Sequence, residues 1–268
     1  MFGSIKLFSV RGIPIRAHFT VLLTIVLIAS ELGAWGIPAS LLLLISLTLH
    51  ELGHALTGQH FGLRTRAIEL HMLGGTAFLE DQPKRPRDEL LIALAGPAVS
   101  FVLGGIGALS LWLLGASVSF GSGSWVGVLG FFTAVNVWMG LFNLIPALPM
   151  DGGRVLRAAL ALKIGALPAT RIAVNIARVI AVGFVIAGLA GSAWTLPLLG
   201  VLVYTSAGAE LRMAEAMEMR RQYEAMLRAH GFGVGPPGGA FGGYAREKPV
   251  GSAVIDVTPG QPVRIIGE

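Results

Sequence analysis

The segment His50-Glu51-Leu52-Gly53-His54 has the residue types and the spacing that a catalytic metal site requires. On a helix, residues at i and i+4 lie on one face, so both imidazoles can reach one ion. Neutral imidazole is a good zinc ligand, and zinc lowers the pKa of a water that it binds. Glu51 is adjacent to the first histidine and can take a proton from that water. The motif therefore predicts a hydrolytic zinc centre with His50 and His54 as metal ligands and Glu51 as general base.

The motif lies in one of six apolar stretches that predict membrane-spanning helices. The mean hydropathy is +0.73, and 13% of residues are charged, against about 25% in soluble domains. Ionisable residues within a span are costly and normally serve a site, which favours a functional motif over chance. Most of the stretches approach the roughly 20 residues that cross a bilayer core. They are Ala17–Trp35, Ile37–Leu56, Leu90–Val118, Trp125–Ile145, Ile172–Gly191 and Leu196–Ala209.

The positive charges predict the orientation of these spans. All 20 Lys and Arg residues fall before the first stretch, between the second and third, between the fourth and the early fifth, or after the sixth. Positive residues mark the cytoplasmic side, so we expect a multi-pass protein of the cell membrane with both termini in the cytoplasm. Topology thereby explains the basic pI, and we expect no nucleic-acid partner. A cleaved signal peptide is the alternative for the first stretch, but its removal would leave an odd number of spans.

A catalytic zinc site needs a third protein ligand, and Asp151 is the best candidate. The chain has no cysteine, so Cys ligands are excluded, and the acidic candidates are Glu31, Glu51 and Asp151. Glu31 lies at the outer end of the first stretch, whereas Asp151 lies at the inner end of the fourth, at the depth of His54. The alternative is that Asp151 caps the helix that follows it, and both roles can coexist.

Asn143 is a polar residue near the end of the fourth stretch. Its amide could position a substrate carbonyl or stabilise an oxyanion. The alternative is local capping of a helix that Pro146 and Pro149 interrupt.

Together these motifs resemble the site-2 protease family of intramembrane metalloproteases. The resemblance covers roughly residues 5–210 and rests on four segments: His50-Glu-Leu-Gly-His54, Gly74-Gly75, Ala95-Gly96-Pro97 and Asn143-Leu-Ile-Pro-Ala-Leu-Pro-Met-Asp151-Gly-Gly. It implies a six-span core and one zinc ion per chain, held by His50, His54 and Asp151. It also implies Glu51 as the base and Asn143 as a catalytic group that positions the substrate.

The resemblance also indicates how substrate is bound. The patches Ala67–Leu70 and Thr76–Leu79 flank Gly74-Gly75, which predicts a hairpin with its turn at the two glycines. In the family this small β-hairpin is membrane-associated and presents an edge to an extended substrate by strand addition. The implied partners are the lipid bilayer and membrane-anchored protein substrates, such as an anti-sigma or transcription factor.

We therefore expect an all-α polytopic membrane protein with six transmembrane helices and a short cytoplasmic tail. Residues 1–209 would form the metalloprotease core, residues 210–230 a cytoplasmic helix, and residues 231–268 a flexible Gly/Pro-rich tail. No oligomeric state follows from the sequence.

Two other classes of function are compatible with the motif. One is a membrane-anchored metalloprotease with a cytoplasmic site, in which a downstream glutamate such as Glu215 is the third ligand. The other is a catalytically inactive zinc-binding membrane scaffold or carrier. Glu51 argues against the latter, because a carrier needs ligands but no base.

Overall fold

The computed structural model describes residues 3–72, 74–79, 83, 85–118 and 124–230, and the backbone of two short strands beyond them. The chain forms two compact units, Met1–Leu211 and Arg212–Glu268. Seven α-helices lie in the described part: α1 Val21–Leu32, α2 Gly36–His60, α3 Pro86–Leu113, α4 Trp125–Asn143, α5 Asp151–Ile164, α6 Ala166–Ala190 and α7 Thr195–Ala229. The strands are β1 Ser4–Val10, β2 Ile13–His18, β3 Thr65–His71, β4 Gly74–Leu79, β5 Val254–Asp256 and β6 Arg264–Ile266.

The predicted helical architecture is confirmed, and four helical stretches among the described residues are long and apolar enough to cross a membrane. They are Val21–His60, Pro86–Leu113, Trp125–Asn143 and Ala166–Ala190. The first and second predicted spans fall in one of these, because α1 has only 12 residues and a 3-10 turn joins it to α2. The sixth predicted span is the start of α7, a helix of 35 residues whose second half is charged. Six spans therefore stay a prediction.

A four-stranded sheet in the order β1-β2-β3-β4 lies beside α2. β2 and β3 are parallel, and the other pairs are antiparallel. The predicted hairpin is confirmed as β3–β4, but its turn is not at the two glycines. Gly74 and Gly75 are the first residues of β4, where they pair with His71 and Leu70.

Apolar packing fixes α2 against this sheet. Alternate residues of β2 and β3, among them Ile13, Ile15 and Ile68, are fully buried against the α2 residues Leu52 and Ala55. Because strand side chains alternate between faces, one face of the sheet covers the helix that carries the motif. This packing fixes the position of the sheet relative to the part of α2 that contains His50, Glu51 and His54.

A second buried cluster fixes the segment that leads into α5. Ala147 and Leu148 are fully buried, and they pack with small residues of α6 and α7 such as Ala173 and Ala207. The backbone immediately before Asp151 is therefore anchored in the interior.

The predicted helix at 210–230 is the second half of α7. The predicted flexible tail, 231–268, lies outside the described residues except for β5 and β6, which pair as antiparallel strands.

Candidate active site

The three predicted metal ligands meet in the protein interior. His50 and His54 lie one turn apart on α2, and Asp151 is the first residue of α5. The two Nε2 atoms are 3.2 Å apart. Oδ2 of Asp151 lies 3.3 Å from Nε2 of His50 and 3.2 Å from Nε2 of His54. All three residues are buried. Although Asp151 is remote from the histidines in the sequence, the three side chains form one compact cluster.

Hydrogen bonds to α3 hold both imidazoles, and the one to His54 leaves a lone pair that faces the centre of this cluster. Nδ1 of His54 lies 2.7 Å from the carbonyl oxygen of Ile92. Because a carbonyl only accepts, neutral His54 carries its proton on Nδ1 and a lone pair on Nε2. Nδ1 of His50 lies 2.8 Å from the hydroxyl of Ser100. Oδ2 of Asp151 is buried and has no hydrogen-bond donor among the described residues.

This arrangement of electron-pair donors fits a cation. A tetrahedral zinc ion with bonds of about 2.0–2.1 Å separates its ligand atoms by about 3.3–3.4 Å. The three separations in this cluster are 3.2 to 3.3 Å. Two imidazoles and one carboxylate are also a donor set of catalytic zinc sites. The residues therefore fit one zinc ion per chain.

The close approach of α3 to α2 requires glycine at position 96. A Cβ atom at Gly96 would lie 2.7 Å from Nε2 of His50 and closer still to Nε2 of His54. A carbon atom at these distances would overlap both imidazoles. Gly96 therefore lets α3 reach the histidines and supply their outer hydrogen-bond partners, Ile92 and Ser100.

Asp151 is not the N-cap of α5, so the capping alternative is wrong. The N-cap is Met150, whose side chain makes no capping hydrogen bond. The carboxylate of Asp151 instead faces the two histidines. An acidic residue in the first turn of a helix is also favoured by the helix dipole.

Arg157 ties α5 to two neighbouring helices. Its Nε donates to Glu89 of α3 over 2.8 Å, and its Nη1 donates to Glu210 of α7 over 3.0 Å. Burial alone would lower the pKa of Arg157, but the two carboxylates outweigh burial and raise it above its ordinary value. The cation is thus retained at neutral pH, and its ion pairs hold the helix that begins with Asp151.

Glu51 lies next to the cluster and faces the sheet. Its Oε2 accepts a hydrogen bond of 3.1 Å from the backbone N–H of Ala77 in β4. A Cβ atom at Gly75 would lie 2.6 Å from Cγ of Glu51. The glycine therefore allows β4 to lie directly against the predicted base.

A cavity of about 340 Å³ opens in front of His50 and Glu51. Asn143 also lines it, and its Nδ2 donates to the carbonyl of Met139 over 2.9 Å. This hydrogen bond lies within α4 and does not cap its end, because the C-cap is Leu144, so both roles of Asn143 stay predictions. The remaining walls are largely apolar and include Leu43, Leu44, Leu47, Val135, Met139 and Phe142.

The chain is similar to known proteins in sequence and in structure. The model of Peptidase family M50 matches residues 38–123 and 116–187. The chain is 37% identical over 222 residues to zinc metalloprotease MJ0392 of Methanocaldococcus jannaschii. The aligned region covers 79% of this chain and 62% of that protein. It is 32% identical over 238 residues to the putative zinc metalloprotease Rip3 of Mycobacterium tuberculosis. That aligned region covers 78% of this chain and 59% of the relative. The solved Site-2 Protease from Methanocaldococcus jannaschii matches with a TM-score of 0.58 and 35% identity, over 78% of this chain and 95% of that chain.

The site has a donor set of metallopeptidases, two histidines of an H-E-x-x-H helix and one carboxylate, and it lies among apolar helices. The chain belongs to peptidase family M50, which confirms its resemblance to the site-2 proteases. It spans 62% and 59% of the lengths of the two curated relatives above.

Proposed function

We propose that this chain is an intramembrane zinc metalloendopeptidase that cuts membrane-anchored protein substrates, such as an anti-sigma or transcription factor. The observation that carries the proposal is the buried cluster of His50, His54 and Asp151, whose ligand atoms all lie within 4.8 Å of one another. Glu51 and the apolar cavity lie beside that cluster.

The proposal includes a location in the cell membrane, six spans and cytoplasmic termini. Four apolar helical stretches and the one-sided distribution of Lys and Arg support it. Exposed apolar side chains support it as well, because α1 and α6 expose residues such as Leu22, Val26, Val179 and Ile186 by half or more. Faces of this kind suit lipid rather than water.

The protein side chains divide the reaction between them. When bound, zinc supplies a Lewis acid that polarises a carbonyl and acidifies water. The carboxylate of Glu51 takes a proton from the attacking water, whose oxygen forms a bond to the scissile carbonyl carbon. Glu51 then returns the proton to the peptide nitrogen as the C–N bond breaks, which leaves a carboxylic acid and an amine. Asn143 donates its second amide proton to the substrate carbonyl oxygen.

The scissile segment enters this site as an extended strand. β4 is at the edge of the sheet and borders the cavity through Gly74 and Gly75. Strand addition supplies backbone hydrogen bonds without regard to side chains, and the apolar walls accept the side chains of a membrane segment. A helical substrate therefore unwinds locally before it is cut.

Zinc content tests the assembled centre. We expect about one zinc per purified wild-type chain by elemental analysis, and a large loss in Asp151→Ala, because two imidazoles alone leave the site without its charged ligand. The matched control is Glu31→Ala, which removes an exposed carboxylate on α1 and should leave zinc unchanged.

Zinc that is indifferent to Asp151 would contradict the assembled centre. Zinc that is lost with Asp151, in a protein that cuts no membrane-anchored reporter in liposomes, would instead favour the scaffold or carrier.

A further inference from the structure

The outer edge of β4 carries backbone groups that do not pair with β3. The N–H of Ala77 points to Glu51 and not to β3, although Ala77 lies opposite Ile68 in the ladder. In an antiparallel pair, the residues whose backbone N–H and C=O groups point away from the partner strand recur at every second position. Gly75 lies opposite Leu70 and therefore faces the same outer edge. This edge is where an extended chain would add to the sheet.

Glu51 already occupies one of these outward groups. Its Oε2 lies 3.1 Å from the Ala77 nitrogen, and Gly75 leaves just enough room for the side chain to pass. The predicted base is thus hydrogen-bonded to the same amide that a substrate strand would use. One N–H cannot serve both acceptors at full strength.

We propose that the hydrogen bond between Ala77 and Glu51 is a latch that an extended substrate opens. A substrate carbonyl takes over the N–H of Ala77, and Oε2 of Glu51 is released toward the attacking water. The inference rests on the proposed function, because it assigns the step that couples strand addition to the availability of the base. No bond other than hydrogen bonds changes in this step.

The exchange of acceptors explains how a base beside a metal centre is kept idle. The hydrogen bond from Ala77 fixes the orientation of the Glu51 carboxylate toward β4, so Oε2 stays engaged until another acceptor takes over the N–H. A substrate long enough to pair with β4 replaces one acceptor by another, so opening costs little. A substrate too short to reach Ala77 meets a base that is still engaged.

Amide hydrogen exchange tests the latch without any cleavage. The N–H of Ala77 should exchange at least tenfold faster in Glu51→Ala than in the wild type, because the acceptor is lost. Glu51→Gln should retain slow exchange, because the side-chain amide oxygen still accepts. Equal exchange at Ala77 in Glu51→Ala and the wild type would overturn the proposal.

Two substrates of different length test its effect on turnover. Ala77→Pro removes the N–H on the outer edge, where proline is tolerated in a sheet. With labelled casein, which can add as a strand, kcat/KM should fall about fivefold. With an N-acetyl dipeptide anilide, which cannot reach Ala77, kcat should rise severalfold. The control is Phe78→Ala, which keeps every backbone N–H of β4 and should change neither rate.

The outcomes separate the latch from the proposed function. A fall in kcat on both substrates in Ala77→Pro, at wild-type zinc content, would show that the amide holds Glu51 in its working position, and the latch would be wrong. If the wild type cuts no substrate at all, the proposed function fails. The exchange rate at Ala77 still decides whether the predicted base is held there.

Discussion

Gly96→Ala should lose both zinc and proteolysis, although alanine is the smallest possible addition. The new Cβ would lie 2.7 Å from Nε2 of His50 and closer to His54, so α3 or both imidazoles must move. A displacement of about 1 Å at a catalytic group can cost about 100-fold in rate. We expect zinc per chain well below that of the wild type by elemental analysis, and at least a 100-fold loss of casein cleavage.

Gly105→Ala is the matched control for this experiment. Gly105 is exposed on the same helix, and a Cβ there meets no atom within 4 Å. Zinc content and cleavage should therefore match the wild type. If Gly96→Ala also kept full zinc and activity, the close packing of α3 against the metal ligands would not exist in the working protein.

Glu51→Gln should slow cleavage by orders of magnitude while zinc stays bound. Glutamine has the shape of glutamate and can still accept from Ala77, but it cannot take a proton from water at neutral pH. General-base catalysis contributes about 10²–10⁴-fold, and we expect a fall of that size in kcat. The measurement is turnover of a membrane-anchored reporter in liposomes, with zinc content determined on the same preparation.

Turnover and zinc content must be measured together, because their combination distinguishes a base from a metal ligand. Loss of zinc together with activity would place Glu51 among the groups that hold the ion. Full activity with bound zinc would exclude Glu51 as the base. A zinc-bound wild type that cleaves nothing, and is indifferent to Glu51, would favour the scaffold or carrier.

The core of the site could be predicted from the sequence because its residues obey short-range rules. His50 and His54 are one helical turn apart, so a helix is enough to bring them together. Asp151 could be selected because few acidic residues border apolar stretches, and the charge distribution gave their depths. Neither inference requires the helix contacts to be known.

The contacts between elements could not be predicted in the same way. The partners of the imidazoles are the Ile92 carbonyl and the Ser100 hydroxyl, and neither residue type signals such a role. The hydrogen bond from Ala77 to Glu51 depends on the register of β4, which a shift of one residue would reverse. Gly96 did stand out in the sequence as part of Ala95-Gly96-Pro97. The reason why glycine is required there is seen only in the packing of α3 against α2.

The helix boundaries differ from the prediction for a related reason. Hydropathy places Ala17–Trp35 in one span, but Ala17 and His18 belong to β2, and α1 begins only at Val21. Apolar composition does not distinguish a strand covered by a helix from the helix itself. The ion pairs of Arg157 with Glu89 and Glu210 were missed as well, because they join three helices that are remote in the sequence.

The positions of the proposed metal ligands along the chain determine how late in synthesis the metal centre can be completed. The segment with His50 and His54 leaves the ribosome and enters the membrane well before Asp151 is synthesised. Glu210, which helps to hold α5 through Arg157, follows later still. A half-made chain therefore carries two ligands and a base but no complete centre. On the proposed function, the nascent protein would therefore have no proteolytic activity at the insertion machinery, and it would gain activity only when the last helices of the core are in place.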